Sequence, residues 1–292
     1  MTGLAALAAI DHRSFGELLR EWRTARGTSQ LALSARARVS TRHLSYLETG
    51  RAQPSREMVV MLAQAFEMPL RDRNAFLQAA GFAAMYRETP LNAHPMGPVR
   101  EAIDLLLRST EPSPAFVLNR RSDILATNET GQWLLTTFNE DIGSFARPYN
   151  IARLLVSPKG ERAYIENWEE VTRLALARMR RELGGAHLRD ANDDDLLKTI
   201  EAAWAKLGDP PRVTEPLAPL MTVRFRRGNV ALNLFSMHVT LGTQFDVTLQ
   251  ELRIEMFFPA DEPSKRVLER RRTQSGATAV RRGKQARNWR RG

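Results

Sequence analysis

From about residue 11 to residue 88, apolar side chains recur every three or four positions between tight turns, and no stretch alternates as a strand does. Phe15, Leu18, Leu19 and Trp22 form the stripe of a first helix that ends near Arg26-Gly27, where glycine suits the residue just past a helix. Ser29 is placed to cap a second helix, with Leu33 and Ala37 facing inward and small Ser34 where helices must approach closely. Val39 sits in the turn, Ser40 can cap a third helix, and Leu44 and Leu47 point that helix into a core, leaving Thr41, Arg42, His43, Ser45 and Tyr46 outside. Met58, Val59, Leu62, Ala63, Phe66, Leu77 and Phe82 then supply the remaining apolar faces of a five-helix bundle.

A Pro-punctuated linker over 89–98 (Thr89-Pro90, His94-Pro95, Gly97-Pro98) separates this bundle from a mixed region over 99–260. There the pattern predicts two short strands, 115–120 and 122–127, joined at Arg120-Arg121. A long helix over 161–183 carries Tyr164, Trp168, Val171, Ala175 and Met179 on one face, and a second helix spans 193–207. Strands over 222–227, 230–241 and 243–258 follow, the first two joined by the Gly228-Asn229 hairpin turn. This order implies one antiparallel sheet covered on one face by helices. The tail over 261–292 is rich in Arg, Gly, Ser and Thr, has little to bury, and is expected to be disordered in isolation.

Charge changes the picture only locally. The net charge of +10 is concentrated at two places: eleven Lys/Arg face two Glu over 262–292, and nine Arg face three Glu between Arg13 and Arg56. Clustered arginine favours a polyphosphate partner. The tail, with Arg270-Arg271-Arg272, Arg281-Arg282 and Trp289, reads either as added phosphate affinity or as a solvated end. The chain has no cysteine, which removes disulfides, thiolate metal sites and cysteine nucleophiles. The apolar start Leu4–Ile10 is too short for a signal segment or a membrane span, so a cytoplasmic location without membrane attachment is expected.

The run from Gly27 to Arg51, with Ser29-Gln30, Leu33, Ala37, Val39-Ser40, Leu44, Leu47-Glu48 and Gly50-Arg51 followed by Pro54-Ser55, resembles the phage-repressor-like (XRE/Cro) helix-turn-helix family over about seventy residues. That resemblance implies a lambda-repressor-like bundle over 11–88 whose third helix enters the major groove of double-stranded DNA. On it, Arg42 matches the acceptor pair of guanine, the alternative being a phosphate contact or a solvated side chain. Thr41, His43, Ser45, Tyr46 and Arg51 are further candidates, with packing roles open for His43 and Tyr46. Gln30 resembles the glutamine that clamps a phosphate in this family. Arg38 departs from the family's usual turn glycine, at a cost of about 1 kcal/mol if the backbone there is left-handed.

The longer run from Val39 to Met58, with Pro114-Ala115, Asp123–Asn128, His238 and Gly242, resembles the MmyB-like regulators, although Val239 and Gly208-Asp-Pro-Pro211 depart from their pattern. This resemblance implies a PAS-like antiparallel-sheet domain over 99–260 with an apolar effector pocket, a fatty acid or similar lipophile being the ligand it suggests. Phe116, Trp133, Trp168, Phe235 and Met237 are the candidate walls, and Arg153, Arg178 or His238 the candidates for a polar head group. The alternative is ordinary core for the aromatics and a hydrogen-bonded structural role for His238.

His187 and Asp193-Asp194-Asp195 could suggest a metal, but acidic residues at a helix start are read as capping. No phosphate-cradling glycine loop, nucleophile elbow or zinc-protease motif is present. The expectation is therefore a regulator and not an enzyme, with no required cofactor, acting as a homodimer on paired half-sites. A ligand-free C-terminal module for dimerisation or protein interaction is the alternative for the second domain.

Overall fold

The computed structural model describes residues 14–184, 191–208, 220–242 and 245–279. The chain divides into two compact units. One comprises Met1–Glu88 with Ala186–Ala191 and Thr243–Gln250; the other comprises Thr89–Gly185, Asn192–Gly242 and Glu251–Gly292.

The first unit is the expected bundle: α1 Phe15–Ala25, α2 Gln30–Ala37, α3 Thr41–Glu48, α4 Arg56–Ala65 and α5 Leu70–Ala79. Four of these helices start on serine. Ser14, Ser29, Ser40 and Ser55 each accept a backbone N–H from the first turn of α1, α2, α3 and α4, as N-cap chemistry requires. The core is Phe15, Leu18, Leu19, Trp22, Leu33, Leu44, Leu47, Val59, Leu62, Phe66, Phe76 and Leu77, with Val39, Met58 and Phe82 partly buried at its margin. α5 begins at Pro69, which offers no side-chain cap. Gln250 supplies one from far along the chain, its Oε1 accepting the Leu70 N–H at 2.6 Å.

The second unit holds a five-stranded antiparallel sheet in the order β2-β1-β5-β4-β3, built from β1 Ala115–Leu118, β2 Ile124–Thr127, β3 Val223–Arg227, β4 Val230–Thr240 and β5 Arg253–Pro259. Its helices are α6 Gly97–Ser109, α7 Glu129–Thr137, α8 Ile151–Val156, α9 Trp168–Gly184, α10 Ala191–Leu207 and α12 Glu262–Ala279; the short α11 Val247–Glu251, which precedes β5 in sequence, falls almost wholly in the first unit. Phe116, Leu118, Leu232, Leu234 and Phe225 on one sheet face pack with Leu134 and Leu135 of α7, Leu154 of α8, Val171 of α9 and Leu268 of α12. On the other face Ile103 and Leu107 of α6 meet Ala115, Val117 and Ile254. The β3–β4 turn is the expected one, with Gly228 at φ +56°.

Three expectations need correction. The helix predicted from 161 begins only at Trp168. The preceding residues are drawn to the free edge of β3: Arg226 N–H donates to the Tyr164 carbonyl and Glu166 N–H to the Arg224 carbonyl, both at 2.8 Å. The strand predicted from 243 begins only at Arg253, after α11, where Asp246 Oδ1 accepts the Thr248 N–H at 2.9 Å and opens a helical turn. The tail is helical over Glu262–Ala279, not disordered. Asp261 accepts the Ser264 N–H at its start, and Ser264 and Leu268 lie buried one turn apart, so a charged helix still has a stripe to bury. Arg281, Arg282 and Trp289, like Leu4–Ile10, His187 and Asp209–Pro211, lie outside the described residues.

Candidate nucleic-acid interface and effector domain

The α2–α3 pair is built around close backbone approaches. Arg38 ends α2 in the left-handed region, φ +53° and ψ +38°, the conformation in which a glycine would be unstrained. Ser34 Oγ lies 3.0 Å from Thr41 Oγ1, tying the two helices together at their hinge. Behind them Gly16 of α1 touches α3: a Cβ there would stand 2.6 Å from the Leu47 carbonyl oxygen.

A buried ionic network holds this arrangement. Glu48, at the end of α3, accepts Arg23 Nε at 2.6 Å, Arg23 Nη2 at 3.0 Å and Gln30 Nε2 at 2.8 Å. The Glu48 side chain is only 4% exposed and that of Arg23 14%, and the hydrogen bond that Arg23 donates to Glu48 raises the Arg23 pKa. One carboxylate therefore links α1, the first residue of α2 and the last residue of α3. The sequence pattern passed over Arg23, although its place one residue after Trp22 on an otherwise apolar helix face is the signal that could have marked it.

With that frame fixed, the nominated DNA-contacting residues separate into two groups. Arg42 is exposed, with its guanidinium 5.4 Å from the Tyr46 ring centroid and its Nε donating to Tyr46 Oη at 3.1 Å. Stacking of this kind holds an arginine fork in a limited set of orientations. Arg51 is also exposed, while His43 and Ser45 are half-buried. Thr41 and Gln30 are already engaged, with Ser34 and Glu48 respectively. Arg36 and Arg38 add exposed positive charge on the same helix pair.

The effector-domain candidates do not form one site. Phe116, Trp133 and Trp168 belong to a single core, where Trp168 Nε1 donates to the Leu155 carbonyl at 2.7 Å and Trp133 stands edge-on to Phe138 at 6.3 Å. Phe235 and Met237 lie on the opposite sheet face, paired with Phe258 and Met256, and Met237 is 54% exposed. The period of two in a strand explains the correction: Leu232, Leu234, Ser236 and His238 are the residues of β4 that share a face with Phe116, and their odd-numbered neighbours cannot.

The head-group candidates are committed to carboxylates. Arg153 pairs with Asp195 at 2.5 Å, both well exposed. Arg178 and His238 do come together, 2.9 Å apart, around Glu255, which lies 3.2 Å from His238 and 3.9 Å from Arg178. Arg253 joins the cluster through Glu182 at 2.8 Å. Burial alone would push the Glu255 carboxyl up, but the His238 hydrogen bond and the charges of Arg178, His238 and Arg253 outweigh it and hold the pKa below its ordinary value. Glu161 is the opposite case. Burial, then repulsion from Glu255, pushes it up to about 7, against a hydrogen bond with Asn139 that lowers it. Asp193, read from sequence as a capping residue, lies in the first turn of α10 and is buried between Arg120 and Arg121.

Comparison with known proteins matches both halves. Residues 14–76 fit the model of a helix-turn-helix domain, and residues 99–270 fit that of the MmyB-like transcription regulator ligand binding domain. Over 91 residues, 31% of this chain and 79% of the relative, the sequence is 33% identical to the transcriptional regulator ClgR of Mycobacterium tuberculosis, in both strain CDC 1551 / Oshkosh and strain H37Rv. Among the described residues no helix is long and apolar enough to cross a membrane. A capped helix pair with an exposed arginine face, followed by a sheet domain of the matching extent, makes this chain a DNA-binding transcription regulator with a ligand-binding domain, and it belongs to the MmyB-like transcription regulators.

Proposed function

We propose that the protein is a cytoplasmic homodimer that reads paired half-sites of double-stranded DNA, about one helical turn (~34 Å) apart, under control of a hydrophobic, fatty-acid-like effector. The observation that carries the DNA half of this reading is the exposed Arg42, stacked on Tyr46, on the outer face of a helix anchored by Glu48. Arg42 reads a guanine edge; Arg51 and the exposed arginines around it hold phosphates. Gln30, held by Glu48, supports the readout from the start of α2, with Thr41, His43 and Ser45 lining the rest of the contact.

The effector half rests on the ligand-binding domain of the family and on Phe116, Trp133 and Trp168 sharing one apolar core. Such a ligand regulates only by binding the DNA-competent arrangement of the two heads with a different affinity from the incompetent one. A second reading is favoured by the exposed Met237 beside Phe235: the sheet domain is then a dimerisation or protein-interaction module without a small molecule. Mass spectrometry of an organic extract of the purified protein, with DNA affinity measured before and after extraction, separates the two. A stoichiometric lipophile whose removal changes affinity supports effector control. An empty extract with unchanged affinity supports the ligand-free module.

A further inference from the structure

Among the described residues, three that are not glycine hold a left-handed backbone: Arg38 and Glu67 at φ +53°, and Ser122 at φ +64°. That conformation crowds the Cβ against the backbone and persists where something else offsets the strain. Ser122 is fully buried and its contacts are internal, with Oγ accepting from Arg253 Nη2 and its carbonyl accepting the Ile151 N–H. Glu67 has the opposite charge of Arg26 close by. Arg38 has neither. Its backbone N–H closes α2 on the Ser34 carbonyl, but the residue is exposed, and its side chain makes no hydrogen bond, ion pair or ring contact among the described residues.

The place of Arg38 shows what its side chain can meet. Val39 N–H donates to the Ser34 carbonyl at 3.0 Å, and Ser40 Oγ accepts the His43 N–H at 3.2 Å, so the path from Arg38 into α3 is held at both ends. Arg38 stands three residues before Thr41, the first residue of α3, and chain geometry keeps their Cα atoms within about 11 Å. A recognition helix enters the major groove with its first residues at the base edges. A groove about 12 Å wide then leaves a residue three positions ahead of that helix at the wall, where the phosphates run.

We propose that Arg38 is a DNA-backbone contact, donating guanidinium hydrogen bonds to phosphates at the edge of the groove that α3 reads. This assignment rests on the DNA-binding reading above and gives the α2–α3 turn a role in placing α3 that is independent of base sequence. The strain in the turn is then offset in the complex and not in the free chain. Removing the side chain relieves the head and weakens its hold on DNA.

The test is fluorescence anisotropy of the full-length protein on two labelled duplexes, one selected by the protein from a random pool and one scrambled, between 50 and 200 mM salt. Arg38→Gly should lower the slope of log affinity against log salt by about 0.9 on both duplexes. Its affinity should fall roughly fifteenfold at 50 mM and roughly fourfold at 200 mM, with the preference between duplexes kept. Arg38→Asn, which tolerates the left-handed backbone, should behave alike, and Arg38→Lys should keep the wild-type slope. The denaturation midpoint of the glycine variant should be no lower than that of the wild type, which separates lost contact from lost fold. Wild-type slopes in both the glycine and asparagine variants would overturn the assignment, as would a loss confined to the selected duplex, which would make Arg38 a base contact. If the wild type binds neither duplex, the DNA-binding reading falls with it.

Discussion

The two units place their chemistry in opposite ways. In the first, every residue nominated for DNA contact lies between Gln30 and Arg51, on one helix pair whose caps, turn and inward leucines are set by neighbours in sequence. In the second, the nominated residues run from Phe116 to His238, and strand register sends Phe235 and Met237 to one sheet face and Phe116 to the other. The contrast extends to buried charge. The first unit ties Glu48 to Arg23 and Gln30 in a satisfied network; the second holds a buried carboxyl, Glu161, that faces the like charge of Glu255, and buried nitrogens without an acceptor on Arg120, Arg178, Arg253 and Arg271. A reading head must present a fixed surface, whereas a domain that answers to a ligand can keep unsatisfied polar groups for the ligand to satisfy.

The most damaging change to the first pattern is Glu48→Ala, which removes the carboxylate from half-buried Arg23 and leaves it the Thr28 carbonyl at 3.1 Å. Removing one member of a buried ion pair costs about 3–5 kcal/mol, and hydrogen exchange of the α1 and α3 amides should accelerate accordingly while the sheet amides keep their protection. Equal acceleration in both units would show that Glu48 is not local to the head.

Glu161→Gln addresses the second pattern. Its carboxyl pKa is raised in the folded protein to about 7, so the folded state holds the proton more tightly than the unfolded chain. The stabilisation is complete below the unfolded value and is lost as pH rises through about 7. Denaturant titrations should therefore show the effector unit weakening between pH 5 and 8 by roughly 3 kcal/mol at most, and the glutamine variant should flatten that slope. A slope that survives in Glu161→Gln would place the proton elsewhere.

Arg42→Ala should weaken binding to the preferred duplex by roughly 1–3 kcal/mol and relax selectivity at one base position. If all sequences weaken alike, Arg42 is a phosphate contact. Arg38→Gly is the smallest effect, a stabilisation below about 1 kcal/mol, because the strain relieved at φ +53° is partly offset by the greater chain entropy of glycine. A loss of stability would mean that the Arg38 side chain contributes contacts of its own.

How much of this was legible in the sequence follows the same division. The caps at Ser29 and Ser40 and the inward Leu33, Leu44 and Leu47 are consequences of local spacing, and each stands where the pattern put it; the left-handed turn at Arg38 was legible only through the family resemblance. The succession of strands along the chain and the Gly228 hairpin were legible for the same reason, whereas their order in the sheet was not. The start of α9 was not, since the edge of β3 that captures residues 164–166 lies some sixty positions away. Nor was α12, whose composition is that of a solvated tail and whose fold depends on a sheet to cover. Arg178 and His238 were nominated together and do meet, but their partner Glu255 sits across the sheet register and was invisible to a reading along the chain.

The most direct measurement is selection of bound duplexes from a random pool by the purified full-length protein, repeated with Arg42→Ala. The account predicts enrichment of a two-fold-related pair of half-sites about one helical turn apart, with information lost at one symmetric base position in the variant. Retention of all sequences alike by the wild type, or an identical enriched site with Arg42 replaced, would contradict it.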